Sequence, residues 1–250
     1  MVDGIFFISS ALNVKQLSVF SNEERYQQTV NTVKSIDKMC PNNVKYMFDT
    51  SYKIPEASYL QGMHDLGVKF LWTGWNDQIQ RLSEQGQRSL AETVGFIAML
   101  DKFYTEKVES KRIYKVSGRY CLNDNFTVDR EDFKDSFVFL PTVDSWMSKQ
   151  HQEHAGVDRI FELRLWHMDY NLLDIFRKEL YNITMPDYVD ISYEVMIWTN
   201  FTEHMNTIVE SFKWAADEYW GDKDKFKFKV EIDSFDRRFV EKTFGSKILL

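Results

Sequence analysis

Four short apolar runs, alternating with helical spacings over the first 120 residues, constrain this chain more than any other feature. Residues 5–12 (IFFISSAL) end in small polar residues, as a buried first strand does. Ser21-Asn22-Glu23-Glu24 has the spacing of a capping box, in which hydroxyl and carboxylate each bond the other residue's backbone N–H. The helix it opens puts Tyr26, Val30 and Val33 on the core side and stops near Cys40-Pro41-Asn42-Asn43. Val44–Phe48 predicts a second strand, ending at Asp49-Thr50-Ser51. A short helical segment over 56–64 leads to a third strand, Val68–Trp72. A second capping box, Ser89-x-x-Glu92, predicts a helix from Ser89 to Thr105, and Arg112–Val116 a fourth strand. That order predicts parallel βαβ units.

Beyond Tyr120 the alternation loosens. Short strands are predicted at Phe137–Leu140 and Ile160–Trp166, helices over 170–181, 191–202 and 203–219, and a final strand at Lys225–Ile232. Met205, Ile208, Val209, Phe212, Ala216 and Tyr219 form a helical stripe that reads as core. No repeat or linker interrupts the chain, so the expectation is one α/β domain over 1–250, a mostly parallel sheet flanked by helices over about 1–123 and a mixed α/β half over about 124–250. The chain has 44% hydrophobic residues, and its 10 glycines and 4 prolines argue against a loop-dominated or many-turned all-β protein.

The net charge of −7 argues against general nucleic-acid binding, which draws on counterion release by cationic surfaces. An anionic ligand must meet a local cationic pocket. Cys40 and Cys121 form no CxxC pair and suit a reducing compartment. The N-terminal apolar run has no basic flank or small-residue cleavage site and is too short to span a bilayer. A cytoplasmic protein without a transmembrane segment is expected, and the Asn-x-Thr triplets at Asn125, Asn182 and Asn200 read as chance.

In open α/β sheets ligands bind beyond the carboxyl ends of the parallel strands. Those ends are Ser9-Ser10, Asp49-Thr50-Ser51, Thr73-Gly74 and Ser117-Gly118-Arg119. Hydroxyls and backbone groups can read a base, a carboxylate can take ribose hydroxyls, and an arginine can grip a diphosphate bidentately.

The pattern Ile8-Ser9-Ser10-Ala11-Leu12, then Glu24-Arg25-x-x-Gln28-Thr29-x-x-Thr32-x-x-Ser35-Ile36, resembles the start of small GT-A-type glycosyltransferases of viral and bacterial polysaccharide synthesis. Phe48-Asp49-Thr50-Ser51, Arg88-Ser89-Leu90-Ala91-Glu92 and Lys115-Val116-Ser117-Gly118-Arg119-Tyr120-Cys121-Leu122-Asn123 extend the likeness over the first half of the chain. The resemblance implies transfer of a hexose or deoxyhexose from a nucleoside diphosphate to a glycan or lipid-linked acceptor. Residues 1–123 would hold the donor, through Ser9, Ser10, Arg25, Asp49, Ser51, Arg88, Ser117, Gly118 and Arg119, and 124–250 the acceptor. Gly118 would let the ligand approach the backbone closely.

One departure matters: no Asp-x-Asp metal motif stands at the fourth strand's end. Two devices stay open. Arg119 supplies the positive charge itself, or Asp124 holds Mn2+ or Mg2+ after the chain turns. An inverting transfer needs a carboxylate base near the acceptor hydroxyl. Among Asp144, Asp169, Asp187, Asp190 and Glu194, Glu194 ranks first, because Asp169 and Asp190 precede apolar-periodic runs and read as helix N-caps. Asp190 is kept beside it. His151-x-x-His154 lacks a third ligand, His167 reads as core or rim, and Trp75 and Trp146 are candidate sugar platforms. A non-catalytic nucleotide- or glycan-binding protein is the alternative. A nucleotidyltransferase falls behind, since no glycine-rich phosphate loop follows the first strand.

Overall fold

A computed structural model describes residues 1–15, 20–85 and 88–123, then residues 126, 128, 137–139, 142–144, 159–161, 164–174, 176, 177 and 180. The helices and strand predicted beyond 181 lie outside these, as do the Asn-x-Thr triplets. The elements run β1 (Val2–Ser10), α1 (Asn22–Met39), β2 (Asn43–Asp49), α2 (Ala57–Asp65), β3 (Val68–Trp72), α3 (Asp77–Glu84), α4 (Arg88–Glu106) and β4 (Ser110–Ser117). There follow β5 (Phe137–Phe139), β6 (Thr142–Asp144), β7 (Arg159–Phe161), β8 (Leu165–Asp169) and a 3-10 turn at Tyr170–Leu172.

The main sheet has the order β3-β2-β1-β4-β8-β5. Its first four strands are parallel, and β8 runs antiparallel to both β4 and β5. The mostly parallel sheet flanked by helices is therefore present. The strand expected over Ile160–Trp166 is instead two: β7 pairs with β6 in a separate ribbon, and β8 joins the main sheet.

Successive residues of a strand point to opposite faces, and β1 buries both. Ile5 and Phe7 pack with Tyr46, Phe48 and the α4 residues Phe96, Met99, Leu100 and Phe103. Phe6 and Ile8 pack with Tyr114, Val116 and the α1 residues Val30, Val33 and Ile36. The i, i+3, i+4, i+7 spacing on α4 makes that face continuous. Each of these fully buried side chains contributes roughly 1.5–3 kcal/mol of transfer free energy. Removing a large one at β1 would therefore be felt in both layers.

The capping box of α1 forms as expected. Glu24 N–H donates to Ser21 Oγ at 3.2 Å and Ser21 N–H to Glu24 Oε2 at 2.9 Å. The helix predicted from the second spacing is present as α4, which starts at Arg88 and so already contains Ser89, while Glu92 pairs with Lys115. Helix α3 was not foreseen; it is short, with Asn76 Oδ1 accepting from Gln78 N–H at 2.8 Å as its cap. Among the described residues no helix is long and apolar enough to cross a membrane.

Candidate functional site

The carboxyl ends of β1 and β4 open into a cavity of about 340 Å3, within the range of roughly 300–1,000 Å3 usual for small-molecule pockets. Its walls come from the segment after β1, the first turns of α1, the end of β2, α3, the start of α4, and Ser117-Gly118-Arg119. Among the described residues, four cationic side chains, Lys15, Arg25, Arg88 and Arg119, line it against two carboxylates, Glu84 and Glu92. In a chain of net charge −7 this is a local reversal of sign. The cations also feel one another: burial first, then the charges of Arg119 and Arg88, lower the Arg25 pKa to about 10. Arg25 remains protonated at neutral pH, held by donation from Nη1 to the Ala11 carbonyl at 3.1 Å. Bringing an anion into such a set relieves repulsion as well as adding attraction.

Of the expected donor-binding residues, Ser9, Ser10, Arg25, Arg88, Ser117, Gly118 and Arg119 come together here. Asp49 and Ser51 do not reach the cavity. Asp49 is fully buried beneath it, where its carboxylate accepts from Leu12 N–H at 2.9 Å and Ser51 N–H at 3.0 Å. Ser51 Oγ accepts from Asn13 N–H at 2.7 Å. These bonds tie the segment after β1 down onto β2, so Asp49 supports the floor of the cavity rather than reaching ribose hydroxyls. Burial pushes its pKa up, partly offset by the bonds it accepts from Ser51, Leu12 and Ser10. Thr73-Gly74 also belongs to the floor. Thr73 Oγ1 donates to the Asp49 carbonyl at 2.9 Å, and a Cβ on Gly74 would stand 1.9 Å from the Ser51 carbonyl oxygen.

Gly118 has a different reason from the one expected. A Cβ there would stand 3.0 Å from the Ser9 carbonyl oxygen and 3.2 Å from Thr29 Oγ1. The glycine lets the chain leaving β4 lie against β1 and α1, with Gly118 N–H donating to Ser9 O at 2.8 Å. Protein, not ligand, makes the close approach.

Sequence reasoning passed over several lining residues. Asn13 is 1% exposed, and its Oδ1 has no hydrogen-bond partner. An orphaned buried acceptor costs roughly 1–3 kcal/mol. Lys15 bonds Glu84 at 2.8 Å at the mouth, where both are exposed. Glu92 was not passed over: the sequence divides it between a capping box and a helix that the resemblance places near the donor, and it bonds the buried Lys115 at 2.5 Å. Only an unexpected short helix brings Gln80, Ser83 and Glu84 to the wall.

Asp124, Asp187, Asp190, Glu194, Trp146, His151 and His154 lie outside the described residues. Asp169 does not cap a helix by its side chain; it pairs with Arg112 at 3.0 Å, both buried. His167 is core, beside Tyr114, and Trp75 is exposed but does not line the cavity. Among the described residues no group of three or more His, Cys, Asp or Glu side chains could hold a metal ion. Among the described residues, the donors at the end of β4 are a hydroxyl and a guanidinium beside two further arginines, a set that suits an anion.

No family model matches the chain, and no curated protein matches it. Solved structures similar to it include the galactosyltransferase LgtC in complex with donor and acceptor sugar analogs, at 10% identity over 99% of this chain and 97% of that one, TM-score 0.49. Another is a glycosyltransferase involved in glycosylation of the major capsid of PBCV-1, at 7% identity over 90% of this chain and 81% of that one, TM-score 0.38. A third is the inositol-1-phosphate CTP transferase of T. maritima, at 11% identity over 96% and 94%, TM-score 0.40. Likenesses at this level assign no reaction to this chain.

Proposed function

We propose that the cavity binds a nucleoside-diphosphate sugar and that the protein transfers the sugar to a glycan or lipid-linked acceptor. The observation carrying this reading is the convergence of Arg25, Arg88 and Arg119 on one cavity at the carboxyl ends of the parallel strands. A diphosphate is a multiply charged acceptor whose paired oxygens on each tetrahedral phosphorus match planar guanidinium forks bidentately. As the bond from sugar to diphosphate breaks, negative charge grows on the departing oxygens, and preplaced cations stabilise it. In this reading Arg119, Arg25 and Arg88 take that role without a metal. The hydroxyls of Ser9 and Ser117 serve as further donors.

The acceptor side and its general base are proposed for residues 124–250, with Glu194 first and Asp190 second. If a divalent ion is used, Asp124 is the residue proposed to hold it. A second reading, nucleotide binding without transfer, is favoured by one observation: the end of β4 carries no carboxylate.

The test is a thermal-shift series with UDP, GDP, CDP and their sugar conjugates, each with manganese and with a chelator. One diphosphate should raise the melting temperature equally in both conditions, and Arg119→Ala should abolish most of that rise. No shift with any diphosphate sinks the reading. Release of free sugar from the stabilising conjugate separates transferase from binder.

A further inference from the structure

Glu92 stands out because the diphosphate reading gives it nothing to do. A carboxylate among phosphate-binding cations weakens anion binding unless it has its own work. The two carboxylates of the cavity are held differently. Glu84 meets Lys15 at the open mouth, where the two side chains are 56% and 64% exposed. Glu92 meets Lys115, whose side chain is only 6% exposed, while that of Glu92 is 38% exposed to the cavity side. Lys115 also donates to Ser117 Oγ at 3.2 Å, tying the carboxylate to the end of β4.

The arrangement follows from the fold. On β4, Ile113 lies in the layer packed on α4, and alternation puts Lys115 on that same side, where Glu92 of α4 receives it. Arg88 lies one helical turn earlier and lines the same cavity. A guanidinium and a carboxylate are thus presented side by side. The first suits a phosphate, the second a neutral group bearing hydroxyl donors.

Resting on the proposed donor reading, we propose that Glu92 is a specificity-determining residue that accepts hydrogen bonds from hydroxyls of the transferred sugar. Lys115 is its positioning residue, holding the carboxylate beside the end of β4. The site then takes a neutral polyhydroxylated sugar and disfavours one bearing a carboxylate, such as a uronic acid, which would face Glu92 as a like charge.

Three roles for Glu92 predict different signs when Glu92→Gln is compared with the parent protein by calorimetric titration. The probes are the nucleoside diphosphate that stabilises the protein and its glucose conjugate. Sugar recognition predicts that the conjugate loses about tenfold or more in affinity, while the bare diphosphate is unchanged or tighter. A purely electrostatic role tightens both in proportion, and a purely structural one weakens both; either result overturns the proposal. Weakening of the bare diphosphate that disappears with its 2′-deoxy analogue moves the contact to the ribose and also overturns it. Lys115→Met should reproduce the selective loss and Lys115→Arg restore it. Binding of neither probe to the parent protein removes the donor reading itself, which is a distinct result from unselective binding.

Discussion

Arg112 and Arg119 stand at opposite ends of the same strand and do opposite things. Arg112 lies near the start of β4, buried, with Asp169 directly across the antiparallel pair on β8 and its guanidinium 3.0 Å from that carboxylate. Arg119 lies just past the other end, exposed to a cavity it shares with two further arginines. At one end of the sheet the fold settles a charge against its own carboxylate. At the other it gathers like charges, so that Arg25 is held below the usual arginine range partly by its neighbours. At the strand's start one buried carboxylate answers the charge; at its end several cations share an open cavity with Glu84 and Glu92.

Breaking the buried pair should give the largest effect. Asp169→Ala takes from Arg112 the carboxylate that faces it inside the sheet, and removing one partner of such a pair costs about 3–5 kcal/mol. Urea unfolding should show this as a large fall in midpoint; a change under about 1 kcal/mol would mean that Arg112 finds water or another acceptor, and the contrast between the strand ends would collapse. Arg119→Ala should do the reverse. Folding stability should stay within about 0.5 kcal/mol, as for most exposed sites, or rise as repulsion on Arg25 is relieved. Affinity for the stabilising diphosphate should fall by about 1.5–3 kcal/mol, the worth of hydrogen bonds to a charged group. The same loss in folding stability without any change in binding would reassign Arg119 to the structural class.

The two ends were unequally legible in the sequence. Arg119 was accessible because a strand end followed by small residues is a local signal, as is the Ser21/Glu24 box that opens α1. Asp49 carried the same local signal and misled: whether a strand-end carboxylate points up into the cavity or down under it depends on where Leu12 and Asn13 fold over, a tertiary matter. Glu92 misled for a related reason. Its Ser-x-x-Glu spacing accounted for it fully, while its partner Lys115 comes from the far side of a helix and into a neighbouring strand. Asp169 was assigned to capping because an apolar run follows it, whereas the cross-strand arginine that claims it is visible only once β8 is seen beside β4. Local patterns found the elements and their ends, and long-range pairing decided which charges were spent inside.

The smallest expected effect separates geometry from charge at the cavity itself. Gly118 sits between Ser117 and Arg119, and a methyl group there would meet the Ser9 carbonyl at 3.0 Å and Thr29 Oγ1 at 3.2 Å. Both contacts are tighter than ordinary packing, and the first is to backbone, which yields little. Gly118→Ala should therefore cost about 1 kcal/mol or somewhat more of stability, at the low end of overpacking effects. Because the strain lies between β4, β1 and α1 rather than toward the cavity, diphosphate affinity should change less than in Arg119→Ala. A binding loss equal to that of Arg119→Ala, with stability intact, would restore Gly118 to the ligand and show that the chain leaves β4 along a different path from the one described.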